Sequence, residues 1–347
     1  MTALLHHGGR LREAAARYDI ALEQWLDIST GINPTGWAVP VLPTAAWARL
    51  PECNDALEAT ARDYYEATHI LPTAGSQAAI QTLPALRPIS RVHVLHPGYS
   101  EHAHAWRNAG HNVQSVCVTD IDDIIAQTDV LVLINPNNPT ATCFSVMQLL
   151  RWHTQLARRG GWLIVDEAFM DSTPEHSLIP YSERAGLIVL RSLGKFFGLA
   201  GARVGFICAP AELLQRLNAA LGPWTISTPA RWVATEALND RRWQQLTRQH
   251  LIAKGKCLQA LLTRHGLPPV GGCSLFQWIP TPYAAALHEA LAQRGILTRL
   301  FVAPDSLRFG LPGDDAQWQR LDTALGQVVA SYQGGQYTRP NKHSGNP

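Results

Sequence analysis

The sequence predicts an α/β protein with a mainly parallel central sheet flanked by helices, followed by a small α+β carboxy-terminal domain. Between residues 91 and 208, short apolar runs typical of buried strands alternate with stretches of helical periodicity. Polar residues stand where several of these runs end, and parallel strands bring such ends to one edge of a sheet. After residue 211 the pattern is mostly helical, with a few strand-like runs near the end of the chain.

Hydrophobic periodicity and turn residues locate the individual elements. Helical spacing predicts helices over residues 11–18, 54–66, 74–86, 100–109, 146–159, 229–264, 282–294 and 315–332. Apolar runs predict strands over residues 91–95, 112–118, 130–134, 162–169, 187–190, 204–208, 275–279, 297–301 and 306–309. Residues 26–34 are predicted to be extended and to end in a turn.

These elements divide the chain into four segments. Residues 1–44 form an amino-terminal arm that closes on the active site, and residues 45–228 form a large α/β domain. Residues 229–333 contain a linking helix and the small carboxy-terminal domain. Residues 334–347 are polar and rich in glycine and proline, so we expect a flexible tail.

Composition narrows the possible partners. The chain has 347 residues, of which 46% are hydrophobic and 16% charged, which is enough apolar material for a large core. Its formal net charge of +2 is too small to indicate a nucleic-acid or membrane partner. The six cysteines form no Cys-x-x-Cys pair, so we expect reduced, buried thiols. Because no apolar run reaches the length of a membrane span, we expect a cytoplasmic protein.

The most informative stretch lies between the predicted strands that end at residue 190 and begin at residue 204. Lys195 is followed there by Phe196 and Phe197, which would desolvate its ammonium. Desolvation lowers the pKa of a lysine and favours the free amine that condenses with an aldehyde. Ser192 and Arg203 flank this lysine, and both residue types bind phosphate well.

Other candidates lie at further element ends. Gly75, Ser76 and Gln77 open a helix, where free N–H groups and the helix dipole favour an anion. Asp166 ends a very apolar strand, so a buried carboxylate there needs a cationic or donor partner. Asn138 follows another strand in the sequence Asn-Asn-Pro-Thr. We expect all of these residues to face one crevice.

The order of Asn-Asn-Pro-Thr, Asp-Glu-Ala-Phe and Ser-x-x-Lys-x7-Arg resembles the fold-type-I, aspartate-aminotransferase-like family of pyridoxal-phosphate enzymes. The resemblance covers nearly the whole chain and implies pyridoxal 5′-phosphate as cofactor, bound by the large domain. It implies that Lys195 binds the aldehyde covalently, that Asp166 faces the ring nitrogen and that Asn138 donates to the phenolic oxygen. The cofactor phosphate would be held by Gly75, Ser76, Gln77, Ser192 and Arg203.

The same resemblance assigns further roles and exposes two departures. It implies that Tyr99 stacks on the cofactor ring, that Arg308 binds the substrate α-carboxylate and that the protein is a homodimer. Phe169 stands where aminotransferases of the family usually have a tyrosine that contacts the phenolic oxygen. Leu50 stands where relatives often have a tyrosine that reaches the partner's cofactor. Both departures argue against plain transamination.

Three segments, His7-Gly8-Gly9, Asp27-Ile28-Ser29-Thr30-Gly31-Ile32-Asn33-Pro34 and Asp-Glu-Ala-Phe, together resemble the cobalamin-pathway decarboxylases within this family, which are related to histidinol-phosphate aminotransferases. The resemblance implies conversion of the small phosphorylated amino acid L-threonine O-3-phosphate to (R)-1-amino-2-propanol O-2-phosphate and carbon dioxide. Lys195 would then return a proton to the α-carbon. The substrate phosphate would lie near His7, Gly8, Gly9, Asn33 and Arg299.

Two alternatives share the same cofactor residues. One is a histidinol-phosphate-type aminotransferase, and the other is a non-catalytic regulatory protein that binds pyridoxal phosphate. We expect no metal site, since His102 and His104 are two positions apart on a helix and point in different directions. Both are predicted to be surface residues.

Overall fold

The computed structural model of the chain describes residues 7–53 and 55–333. The predicted tail, residues 334–347, lies outside these described residues. Among the helices in the described ranges, none combines the length and the apolar character needed to cross a bilayer.

The strands follow the predicted positions closely in the middle of the chain. In chain order they are β1 (Leu26–Asp27), β2 (Leu71–Thr73), β3 (Arg91–Leu95), β4 (Asn112–Val116), β5 (Val130–Ile134), β6 (Trp162–Asp166), β7 (Leu187–Ser192), β8 (Gly205–Cys208), β9 (Gly271–Cys273), β10 (Phe276–Pro280), β11 (Ile296–Leu297), β12 (Arg299–Val302) and β13 (Asp305–Gly310). Strand β6 is shorter than predicted, because the chain turns after Asp166. Strand β7 is longer than predicted and ends at Ser192.

One predicted helix is two helices in the structure. The helices are α1 (Leu11–Tyr18), α2 (Ala45–Ala48), α3 (Leu57–Tyr65), α4 (Gly75–Thr82), α5 (Ser100–Asn108), α6 (Ile121–Ile124), α7 (Val146–Ala157), α8 (Ala211–Leu221), α9 (Thr228–Asn239), α10 (Arg241–Arg264), α11 (Ala284–Ala292) and α12 (Asp315–Gln333). The single helix predicted over 229–264 is wrong, because Asp240 interrupts it. The Asp240 side chain accepts a hydrogen bond from the N–H of Trp243 and so caps α10.

The large sheet has seven strands in the order β2-β8-β7-β6-β5-β3-β4. The strands from β7 to β4 pair in parallel, whereas β8 pairs antiparallel with both β7 and β2. In the parallel part, Ile134 lies opposite Asp166, and Asp166 lies opposite Leu190. The carboxyl ends of β5, β6 and β7 therefore lie side by side.

Side chains of the central strands alternate between two hydrophobic cores, one on each face of the sheet. In β6, Leu163 and Val165 belong to one core and Ile164 to the other. In β7, Val189 and Leu190 are divided in the same way. This alternation follows from the two-residue period of a strand. Consecutive residues at a strand end consequently face opposite sides of the sheet.

The carboxy-terminal part contains a four-stranded antiparallel sheet in the order β12-β13-β10-β9. The short strand β1 pairs in parallel with β11, so that Leu26 lies opposite Ile296. This pairing attaches the amino-terminal segment to the carboxy-terminal part of the protein.

All six cysteines have free thiols, but the expectation that they are buried is mostly wrong. Cys208 is buried within β8, and Cys273 in β9 is partly buried. The exposed thiols are those of Cys53, Cys117, Cys143 and Cys257. These residues lie in loops or on outward helix positions, which local apolar composition does not reveal.

Candidate active site

Three predicted site residues lie at the carboxyl edge of the large sheet. Asn138 follows β5, Asp166 ends β6, and Lys195 follows β7. The strand ends are joined by a backbone hydrogen bond of 2.9 Å from the N–H of Asn135 to the carbonyl of Asp166. Parallel pairing of the strands thus brings together three functional side chains that are far apart in the sequence.

Lys195 lies in the loop between β7 and β8. Its carbonyl accepts backbone hydrogen bonds from Asn33 at 3.0 Å and from Gly198 at 3.2 Å, which fix the turn. Its Nζ lies 5.6 Å from the centroid of the Phe169 ring. The amine is therefore held against an apolar ring, which belongs to Phe169 and not to the flanking Phe196 or Phe197.

The surroundings of Lys195 favour its neutral form. Burial is the main cause that lowers the pKa of Lys195, to about 8. The positive charges of Arg308 and Arg203 act in the same direction, and the Asp166 carboxylate opposes them. The nucleophilic free amine is consequently more populated near neutral pH than in an ordinary lysine.

Asp166 is buried and has the partners that such a carboxylate requires. The Nε2 of His102 lies 3.0 Å from its Oδ2, and the backbone N–H of Ala168 donates to its Oδ1 at 3.0 Å. The prediction that His102 is a surface residue is therefore wrong. His102 lies on the inner face of α5, whereas His104, two positions later, is directed away from Asp166 and hydrogen-bonds Asn108.

The start of α4 packs directly against β8. A Cβ added to Gly205 would lie only 2.4 Å from the backbone nitrogen of Ser76. A Cβ added to Gly75, whose φ is +69°, would lie 2.6 Å from Nη2 of Arg203. Glycines at these two positions allow the arginine and the open N–H groups of the helix to converge. Ser192 lies at the neighbouring strand end, and its hydroxyl accepts a 3.2 Å hydrogen bond from the backbone two residues later.

Glu101, which no sequence pattern selected, contacts the predicted site residues His7 and Gln77 directly and Tyr99 through Gln77. Its Oε2 accepts a hydrogen bond of 2.9 Å from Gln77, and its Oε1 lies 2.7 Å from Nε2 of His7. The hydroxyl of Tyr99 donates to the same Gln77 side chain at 3.2 Å. Burial, and then the Glu101 charge, raise the pKa of Tyr99, so its ring remains neutral.

Arg308 lies beneath this network and is buried. Its Nη1 donates to Oδ1 of Asn138 and its Nη2 to the carbonyl of Ser29, each at 2.5 Å. Its Nε has no hydrogen-bond partner within the described part of the chain. Arg299 lies opposite it on β12. Burial, followed by the Arg299 charge, lowers the pKa of Arg308 to about 10.

The amino-terminal glycines dock on the segment that contacts Arg308. The N–H of Gly9 donates to the Ser29 hydroxyl at 2.8 Å. A Cβ added to Gly8 would lie 2.4 Å from the Ser29 carbonyl oxygen, so glycine permits this approach. Ser29 is in turn held by Asp27, whose Oδ1 accepts from both its N–H and its hydroxyl.

Asn33 has a different environment from the one predicted. It is buried, its Nδ2 donates to the carbonyl of Phe196 at 2.9 Å, and its Oδ1 accepts from Thr35. Together with its backbone bond to Lys195, these contacts hold the lysine loop. The geometry does not support the predicted contact between Asn33 and a substrate phosphate, because the chain itself engages both ends of this amide.

A cleft of about 860 Å³ opens outward from Tyr99 and His7. It runs between α1, α5 and β12 and includes Arg299 on its wall. Two acidic residues, Glu13 and Glu289, line the cleft, and they are outnumbered by further basic residues. These basic residues are Arg10, Arg17, His104, Arg107 and His288. This balance favours the approach of an anionic molecule.

Comparisons with known proteins agree with this geometry. Residues 46–325 match the family model described as aminotransferase class I and II. The threonine-phosphate decarboxylase of Pseudomonas aeruginosa is 58% identical over 322 residues, which cover 93% of this chain and 97% of that protein. The protein of the same name from Sinorhizobium is 41% identical over 335 residues, covering 94% and 99%.

A solved structure shows the same fold. The histidinol-phosphate aminotransferase from Sinorhizobium meliloti, in complex with pyridoxal-5′-phosphate, superposes with a TM-score of 0.82 at 19% identity, covering 95% of this chain and 96% of that chain. The predicted fold class and family are both confirmed. The chain belongs to the aminotransferase class I and II family and, within it, to the threonine-phosphate decarboxylases.

Proposed function

We propose that the protein uses pyridoxal 5′-phosphate to decarboxylate L-threonine O-3-phosphate, giving (R)-1-amino-2-propanol O-2-phosphate and carbon dioxide for cobalamin biosynthesis. The observation that carries the proposal is the meeting of Lys195, Asp166 and Arg308 at one sheet edge, with the pKa of Lys195 lowered to about 8. The relatives that are 58% and 41% identical support the choice of reaction.

The residues present fit this cofactor. A phosphate requires several hydrogen-bond donors close together. Gly75 and Gly205 leave the space in which the start of α4 and the Arg203 guanidinium come together. An aldehyde requires an amine that is partly neutral, which Lys195 provides. A basic ring nitrogen requires a carboxylate, and Asp166 is a buried one whose oxygens are oriented by His102 and a backbone N–H.

When bound, pyridoxal phosphate draws electrons from the substrate α-carbon into its ring. The chain then has three tasks. Asp166 keeps the ring nitrogen protonated, and His102 orients that carboxylate. Arg308 binds the substrate carboxylate, and its guanidinium is oriented by Asn138 and the carbonyl of Ser29. Lys195 delivers a proton to the α-carbon after carbon dioxide has left.

The substrate phosphate requires a second set of donors. We assign it to the wall formed by His7, Gly8, Gly9 and Arg299, since these residues border the cleft or its inner end. Tyr99 contacts His7 on one side and Gln77 at the start of α4 on the other, which supports its assignment as the residue that covers the cofactor ring. The amide of the buried Asn33 is engaged by Phe196 and Thr35 and so lies outside this set.

The test is an assay of carbon dioxide released from L-threonine O-3-phosphate by the protein loaded with pyridoxal phosphate. We expect release that needs no 2-oxo acid, and K195A should abolish it. Glutamate formation from 2-oxoglutarate with histidinol phosphate, without carbon dioxide release, would establish the aminotransferase instead. Cofactor binding with neither reaction would favour the regulatory alternative.

A further inference from the structure

A cluster of buried charges lies on the face of the large sheet opposite Asp166. Glu167 is 0% exposed and Arg191 is 2% exposed. The Nε of Arg191 lies 3.3 Å from Oε2 of Glu167, and its Nη1 lies 3.5 Å from Oδ1 of Asp171. Burying an ion costs several kcal/mol even in a relaxed protein, so such a cluster is not an efficient source of stability.

Glu167 is held in one orientation by neutral donors. The Ser177 hydroxyl donates to its Oε2 at 2.6 Å, and the N–H of Leu178 donates to its Oε1 at 2.8 Å. Burial raises the pKa of Glu167, and the Arg191 charge and these hydrogen bonds oppose the change. The Glu167 carboxylate is therefore held by Ser177, Leu178 and Arg191. It has little freedom to move if β7 shifts relative to β6.

Arg191 is held by ion pairs and by an aromatic ring rather than by hydrogen bonds through its Nε and Nη1. Its guanidinium lies 5.0 Å from the centroid of the Tyr65 ring. Its second carboxylate partner, Asp171, accepts a 3.1 Å hydrogen bond from the hydroxyl of Tyr64. Arg248 donates to the carbonyl of Asp171 at 2.9 Å. The cluster thus joins the sheet to α3 and α10.

The position of the pair along the chain connects it to the site. Glu167 directly follows Asp166, and Arg191 directly precedes Ser192. Because side chains alternate along a strand, the two charged residues pair on one face while their neighbours face the site on the other. The backbone N–H of Glu167 also donates to the carbonyl of Leu190 at 2.9 Å.

We propose that the Arg191–Glu167 ion pair is a positioning element that fixes the distance between the ends of β6 and β7. The inference rests on the proposed function, in which Asp166 holds the cofactor ring while Ser192 and Lys195 hold its phosphate and aldehyde. A small rigid ring gripped from two strands tolerates little relative displacement of those strands. Displacement of catalytic groups by about 1 Å costs about a hundredfold in rate.

The protein offers a matched control for a purely stabilising role. Arg231 on α9 is also buried and also pairs with two carboxylates, Asp55 at 2.6 Å and Glu58 at 2.7 Å. None of these three residues adjoins a strand end of the site. R231M therefore removes a buried guanidinium and its ion pairs, whose carboxylates are more exposed than Glu167, without touching the proposed positioning element.

The experiment compares R191M/E167Q with R231M, both titrated with pyridoxal phosphate at a temperature at which circular dichroism shows them fully folded. The double variant removes both charges, so it leaves no uncompensated ion within the pair. We expect its cofactor dissociation constant to rise about tenfold or more and its kcat to fall about a hundredfold. R231M should change neither. Equal effects of the two variants, or unchanged cofactor affinity in R191M/E167Q, would overturn the proposal.

Should the double variant not fold, S177A gives a milder test, because it removes only one donor from Glu167. We expect a rise of only a few-fold in the cofactor dissociation constant, because Glu167 keeps its hydrogen bond from Leu178 and its ion pair with Arg191. An unchanged constant would count against positioning. Cofactor affinity is measured without substrate, so failure of the wild-type protein to decarboxylate threonine phosphate would reject the proposed function and leave this result intact.

Discussion

The Nε2 of His102 lies 3.0 Å from the Oδ2 of Asp166, and both side chains are buried. A buried carboxylate that loses such a partner is left partly unsatisfied. The contact consequently orients the oxygen that would face the cofactor ring.

Replacing His102 should therefore weaken cofactor binding. A hydrogen bond to a charged group contributes about 1.5–3 kcal/mol, so we expect the cofactor dissociation constant of H102A to rise about tenfold or more. Fluorescence titration with pyridoxal phosphate measures this change. H104A is the control, since His104 lies two positions later and contacts Asn108 instead. If both variants lost cofactor affinity to a similar extent, the cause would be a disturbed α5 and not the loss of the contact between His102 and Asp166.

The rate of cofactor attachment should depend on the charge of Lys195. Because its pKa is lowered to about 8, the free amine and the attachment rate should increase as the pH rises through about 8. Arg308 disfavours the ammonium, so R308M should raise the pKa and move the midpoint to higher pH. Stopped-flow absorbance on the cofactor-free protein gives both midpoints. R91M is the control, because Arg91 begins β3 and lies at the edge of the sheet opposite to the site. It should leave the pH midpoint unchanged.

Glu101 should act through His7 in substrate binding. Both E101A and H7A are expected to raise the KM for threonine phosphate several-fold, since Glu101 holds the imidazole that faces the cleft. Residues in direct contact couple by about 0.5–3 kcal/mol, so E101A/H7A should be little worse than either single variant. Steady-state kinetics over this double-mutant cycle gives the coupling. Fully additive losses would mean that the two residues act independently.

The protein is expected to be a homodimer that uses the segment from residue 39 to residue 50. Large apolar side chains are exposed there, with Trp47 71% and Leu50 64% accessible, and such patches mark interaction surfaces. Light scattering should give the mass of two chains for the wild type and of one chain for W47D. M147D changes an exposed apolar residue elsewhere, on α7, and should remain dimeric. A wild-type mass of one chain would contradict the expectation.

The sequence predicted those site residues whose position follows from strand ends. Asn138, Asp166 and Lys195 each follow an apolar run, and parallel pairing places such ends together. It did not predict His102 or Glu101, because their partners lie 64 and 94 positions away along the chain. No local periodicity encodes a contact of that range. Asn33 was misassigned for the same reason, since its amide bonds the backbone near Lys195.

The short strand pair β1–β11 and the bond from Arg308 to Ser29 have a consequence for biosynthesis. Ser29 is made early and Arg308 is made late, 279 positions further on. Because synthesis starts at the amino terminus, every strand of the large sheet is made before the strand that carries Arg308. The contact between Arg308 and Ser29 can therefore form only after most of the polypeptide has left the ribosome. Closure of this part of the pocket waits for the two ends of the polypeptide to meet.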